Sequence, residues 1–295
     1  MRRLTATLVL TILLAFGLFV PVQAHETGRS HLEPPGWTLD LSILAPLMLS
    51  LALYAIGWRR LRQRSHGGAE RLAHRARLFG SGWLVLTGAL VSPLHEAGER
   101  SFAAHMFEHE LIMLVAAPLL VLAEPLAVML WAFPSGGRRS LGSVTNLRPV
   151  EATWLLLSGA VTATPLQAAA LWLWHAPALF DLALADERWH AAQHFSFLIS
   201  ALLFWTAMLG RRTAPGVAAL CLVGTSIVSG ALGALMAFAT SPWYAGYARL
   251  GMAPFGLSPA EDQQVAGLLM WVPGGLVHAG AALLIMRRLL RPAHA

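Results

Sequence analysis

Two pairs of histidines set four residues apart, His105 with His109 and His190 with His194, are the side chains of this 295-residue sequence best suited to chemistry. Residues four apart share a helix face about 6 Å apart, so each pair can bridge one ion. Neutral imidazole suits copper, zinc, iron or nickel, and the nearby thioethers of Met106 and Met113 add a preference for cuprous copper. His95, in Ser92-Pro93-Leu94-His95-Glu96, and His175, in Leu171-Trp172-Leu173-Trp174-His175, are further candidates. The protease pattern HExxH is absent, because Met106 follows His105. The single cysteine, Cys221, rules out an intramolecular disulfide, a CxxC thiolate site and a CxxCH haem attachment, so any metal is left to His, Met and carboxylates.

Glu108 and Glu110 stand in the same short segment as the first pair, where an ionised carboxylate needs a cation or hydrogen-bond donors. Glu108 adjoins His109 and is placed to orient a ligand imidazole. His25 is a separate candidate: were the preceding residues removed, its α-amine and ring would chelate a cupric ion, with His31 close behind. Glu96, Glu99, Asp181, Asp186, Glu187 and Glu261 read as solvated loop residues, and Asp262-Gln263-Gln264 as a helix N-terminal polar cluster suited to capping. Glu124 and Glu151 read as partners of arginine-bearing loops, and His278 as a packing group. A single interfacial histidine is explained by a hydrogen bond to a carbonyl. Several at one depth are not, since ionisable groups in lipid are costly and usually tied to partners or function.

The elements that position these residues follow from composition. With 56% hydrophobic and 12% charged residues, the chain is an integral membrane protein. Residues 1–24 have the form of a signal peptide: Arg2 and Arg3, an apolar stretch from Leu8 to Val20, Pro21, then Val22-Gln23-Ala24 before the cleavage point. An uncleaved anchor is the alternative. Residues 25–38 form a short extracytoplasmic lead-in, and 39–291 a membrane domain. Apolar runs of the length needed to cross a bilayer recur seven times, near 39–58, 78–94, 103–123, 151–174, 188–209, 216–240 and 263–286. The shorter run from Pro125 to Phe133 lies at the inner interface. All the basic residues are arginines. Fifteen fall on the turns after spans one, three and five and on the tail, against four on the other side, which places the amino terminus outside and the carboxyl terminus inside. The net charge of +6 is therefore a topology signal, and nucleic acid is not a partner. In this arrangement His95, His105, His109, His175, His190 and His194 all lie within roughly the outer 10 Å of the membrane.

Three segments then carry a family resemblance. His105-Met-Phe-Glu-His109 with the following LIMLVAAPLLVLAEP, LWLWHAPALFDLAL with His190-Ala-Ala-Gln-His194-Phe-Ser-Phe, and DQQVAGLLMWVPGGLVH resemble the multi-span cytochrome c oxidase assembly proteins of the CtaG type, associated with caa(3) oxidases. These are unrelated to the single-span copper chaperone of the same name. The resemblance implies a polytopic factor for maturing a haem-copper oxidase, handling copper for its subunit I centre. In the family pattern the first pair reads HxxQH and the second HxxEH. Here Glu108 and Gln193 hold the reverse, an exchange that makes sense if the two side chains meet.

The expectation is an all-α, seven-span protein of the bacterial inner membrane, with an outward-facing cluster of His105, His109, His190, His194, His95, His175, Met106 and Glu108, and separately His25, that binds copper. It passes the ion to oxidase subunits during assembly, receives it from a periplasmic copper chaperone, contacts membrane lipid and catalyses no reaction. A copper transporter differs only in whether the ion crosses the membrane. From other classes, a haem or quinol redox protein uses histidines on neighbouring helices as axial pairs, and a membrane hydroxylase or hydrolase uses them as a catalytic metal centre.

Overall fold

The structure is a computed structural model that describes residues 34–64 and 67–290. The signal-peptide segment 1–24, His25 and most of the lead-in lie outside the described residues. Among the described residues the chain is helical, with no strand. In chain order the helices are α1 (Leu41–Arg64), α2 (Ala69–Val91), α3 (Pro93–Gly98), α4 (Phe102–Ala123), α5 (Pro125–Met129), α6 (Ser135–Thr145), α7 (Arg148–Leu157), α8 (Ala160–Trp174), α9 (Pro177–Ala185), α10 (Glu187–Leu209), α11 (Pro215–Ala237), α12 (Ala245–Leu250) and α13 (Pro259–Leu290). Several begin with proline, whose fixed φ and missing N–H suit the first helical position.

Five of these helices, α1, α4, α10, α11 and α13, are long and apolar enough to cross a membrane. The pair α7 and α8 makes a sixth if taken as one broken span, for its axes bend by 65° at Ser158 and Gly159. Ser158 turns its hydroxyl back onto the Trp154 carbonyl, and Arg212 donates to both Ser158 Oγ and the Leu155 carbonyl, which satisfies groups freed by the break. The run expected to span at 78–94 belongs to α2. Its amino-terminal half carries Glu70, Arg71, Arg75 and Arg77, and it stops at Ser92, whose side chain caps α3. Among the described residues there are thus five or six candidate spans where seven are expected.

The helices close on one another where side chains are small. A Cβ on Gly267 would stand 2.5 Å from the Gly233 carbonyl oxygen, and one on Gly233 2.8 Å from that of Gly267, so α11 and α13 touch backbone to backbone. At the far end of α1, a Cβ on Gly57 would stand 2.0 Å from the Val128 carbonyl oxygen, which seats α1 on α5. Beside it Tyr54 stacks on Phe79 with centroids 3.8 Å apart.

One irregularity bears on function. Immediately after His109 and Glu110, α4 loosens into a π-helical turn, Leu111–Ala116. The wider turn re-aims the side chains that follow and leaves a backbone carbonyl for another partner, and the Trp205 indole donates to Met113 O at 2.8 Å.

Candidate metal centre

The short helix α3 and the first turns of α4 and α10 meet at one end of the bundle. Three devices fix α4 there. Asp262 of α13 caps its N-terminus, accepting from Ser101 Oγ at 2.8 Å, Phe102 N at 2.6 Å and Ala103 N at 3.4 Å. Gly98 lets α3 lie against it, since a Cβ there would stand 3.3 Å from His105 Cα and 3.5 Å from Glu108 Oε2. Tyr247 of α12 donates to the Gly98 carbonyl at 2.5 Å. Burial beside Asp262, Glu108 and Glu99 pushes the Tyr247 pKa well above 10, so it stays a donor.

Held in this way, the imidazoles form one connected group. His105 and His109 lie edge to face with centroids 4.3 Å apart, and His109 and His194 do so at 4.7 Å. His190 stands 5.3 Å from His105 and 5.4 Å from His95, nearly parallel to both. His194 Nε2 and His190 Nε2 are 2.8 Å apart, a distance at which one shared proton joins them. Glu108, fully buried, accepts from His95 Nδ1 at 2.8 Å and has His194 Nδ1 at 3.7 Å. Two overlapping triads result, His105, His109 and His194, and His95, Glu108 and His194. In each, one ligand atom per residue lies within 4.8 Å of the others. Burial opposes charge on His95, but the hydrogen bond and charge of Glu108, helped by Glu99 and Asp40, outweigh it and raise the His95 pKa.

His175 and Met106 sit together beside this group. His175 Nδ1 donates to the Leu171 carbonyl at 2.7 Å, which assigns the tautomer and leaves Nε2 bare. That lone pair faces Met106 Sδ at 3.2 Å. Two soft donor atoms therefore point at each other with no proton between them.

Several donor atoms of the cluster are orphaned. His105 Nε2, both ring nitrogens of His109, and Glu108 Oε2 are buried without a hydrogen-bond partner. Each such group costs on the order of 1–3 kcal/mol in a protein interior. An ion that accepts lone pairs removes that cost, so the donor set fits a nitrogen-liking metal.

Two site features differ from the sequence expectation. Glu108 and Gln193 are both fully buried, yet no hydrogen bond joins them: Glu108 engages His95 and His194, while Gln193 lies beside His105 with neither amide atom hydrogen-bonded. Asp262 and Asp181 are structural acceptors, Asp181 taking the Ala245 and Gly246 amides at the start of α12. Sequence reasoning assigned no role to Gly98 or Tyr247.

The chain matches the family described as cytochrome c oxidase caa3 assembly factor over residues 52–292. Among curated proteins it is similar to an uncharacterized protein of Mycobacterium bovis and to one of Mycobacterium tuberculosis. Each is 30% identical over 188 residues, covering 61% of this chain and 27% of the relative. The chain thus spans about a quarter of the length of those relatives. No solved structure matches it.

Proposed function

This chain belongs to the cytochrome c oxidase caa3 assembly factor family, and from that premise we propose that its histidine layer is the working part, holding copper and delivering it to the oxidase under assembly. The observation that carries this reading is the set of buried, unpartnered ring nitrogens on α4 facing His194 of α10. A polypeptide that spans lipid does not leave such groups unpaired for packing alone. The same chemistry explains release. Imidazole and thioether ligands hold a cuprous ion shielded from water and exchange it, one ligand at a time, for a better-coordinating acceptor. Copper is cargo, and no covalent bond is made or broken.

Ring packing favours an ion over haem. The neighbouring ring pairs of the cluster, with centroids 4.3–5.8 Å apart, are closer than two axial ligands on opposite faces of a macrocycle require. The arginine distribution supports a histidine end on the outer face of a bacterial inner membrane, where a periplasmic chaperone would supply the ion and oxidase subunits would take it.

The test is metal analysis of the full chain in lipid nanodiscs together with oxidase activity in the host. His105→Ala, His109→Ala, His190→Ala and His194→Ala should each give an inserted protein with much less copper and a host with copper-deficient oxidase. Surplus copper should restore part of the activity, because mass action refills a weakened site. Full copper and full oxidase activity in all four variants would overturn the reading.

A further inference from the structure

One helical turn below the histidines, roughly 6 Å deeper, a second group of polar side chains surrounds a small cavity between α4, α8, α11 and α13. The space open to a water centre is ≈ 20 Å³, enough for a water or a single ion and too small for an organic substrate.

The lining is rich in acceptors and poor in donors. Glu110 Oε2 and Gln167 Oε1 are buried without hydrogen-bond partners. The proton of Thr225 is engaged by the Cys221 carbonyl at 2.9 Å and that of Ser229 by the Thr225 carbonyl at 2.8 Å, so both hydroxyls keep lone pairs free. Gln167 Nε2 donates to Met113 Sδ at 3.6 Å, which places the thioether at the same wall. His278 of α13 is buried, stacks on Trp205 at 5.9 Å, and has its Nδ1 unpartnered. Gly274, one turn before His278, lies against the carboxylate, since a Cβ there would stand 3.5 Å from Glu110 Oε2, in ordinary contact. Acceptors outnumber free donors around this cavity, an imbalance that a cation relieves. Glu110 is the one acidic side chain of the lining, so a monovalent ion that displaces its proton leaves the site neutral, which sets the charge at +1. Thioether and imidazole together favour cuprous copper over an alkali ion.

We propose that Glu110, Met113, Gln167 and His278 form a second cuprous site, which receives the ion from the histidine layer by ligand exchange along α4. The identity of the ion rests on the copper reading of that layer, whereas the cavity and its unpaired acceptors do not. The consequence is that copper enters the membrane interior rather than staying at its surface.

The experiment is an anaerobic titration of the full chain in nanodiscs with cuprous ion against a chromogenic cuprous chelator. Glu110→Gln, an isosteric change that removes only the charge, should weaken one copper equivalent at least tenfold and leave the others in place. Met113→Leu and His278→Phe should do the same, and unchanged melting of Glu110→Gln shows that the fold is intact. A His109→Ala/His194→Ala chain should lose the outer copper and keep this equivalent. Unchanged copper count and affinity in a Glu110→Gln/His278→Phe chain would overturn the second site while leaving the outer one standing. Copper lost in that chain but retained by His109→Ala/His194→Ala would do the opposite. Displacement of the inner equivalent by sodium, with N-methylglucamine as the control cation, would overturn the cuprous assignment.

Discussion

The ionisable side chains at the two ends of the bundle meet the same problem, charge beside lipid, in opposite ways. At the arginine end several cations of α1, α2 and α6 have ready partners around the α4–α5 corner. Arg60 donates to the Trp131 and Ala132 carbonyls, Arg75 meets Glu124 at 2.7 Å, and Arg138 lies 4.1 Å over the Trp131 ring. These groups are satisfied and partly exposed. At the histidine end the groups are buried, and several of their nitrogens face one another unpaired. Satisfied polarity anchors a fold, whereas unsatisfied polarity waits for a ligand. If that distinction holds, damage at the two ends should separate stability from binding.

The largest effect on stability belongs to the arginine end. Gly57→Ala would drive a methyl to 2.0 Å from a backbone oxygen of Val128, which no rotamer change relieves. Overpacking of this kind costs about 1–3 kcal/mol and occasionally more. Thermal unfolding in nanodiscs should show the steepest fall for this variant, while the protein that remains folded binds copper with wild-type affinity. Weakened copper binding by that folded fraction would break the comparison, because the arginine end would then shape the site.

Asp262→Ala should move both readouts. It leaves the Phe102 and Ala103 amides and the Ser101 hydroxyl without their acceptor in a buried setting, a loss of about 1–3 kcal/mol. Because those groups begin the helix that bears His105 and His109, the ring geometry loosens with the cap. The expected outcome is a lower melting temperature and a copper affinity reduced about tenfold, at the lower bound known for supporting residues of metal sites. Unchanged copper affinity with a lowered melting temperature would show that the cap serves the fold alone.

These two positions also mark what the sequence could and could not disclose. Apolar run lengths located the long helices, because crossing lipid imposes a length that any reading of hydropathy recovers. The four-residue spacing placed His105 with His109 and His190 with His194, because both pairs lie within single helices. What failed was non-local. Asp262 reads as a cap for its own helix, and only the packing of α13 on α4 turns it to the Phe102 amide, 160 residues away. The 65° bend at Ser158 and Gly159 and the π-turn after Glu110 depend on partners supplied by Arg212 and Trp205. His278 reads as packing in the sequence, and it does stack on Trp205, but its other edge lines a cavity with Glu110 that no local pattern encodes.

The smallest effect tests how much an ion pair of the arginine end contributes. Glu124 links α4 to α5 with φ 47° and ψ 51°, the left-handed region, which costs a residue with a Cβ on the order of 1–2 kcal/mol. Its carboxylate pairs with Arg75, but both side chains are partly exposed, so the pair contributes only about 0.2–1 kcal/mol. Glu124→Ala removes the pair and keeps the backbone strain, and should lower stability by that small amount. Glu124→Gly removes both, and glycine's extra freedom in the unfolded chain offsets about 0.4–1 kcal/mol of the relief. The glycine variant should therefore melt at or slightly above the alanine variant, and neither should alter copper binding. An alanine variant that melted well below both the glycine variant and the wild type would show that the turn, rather than the ion pair, holds α4 to α5.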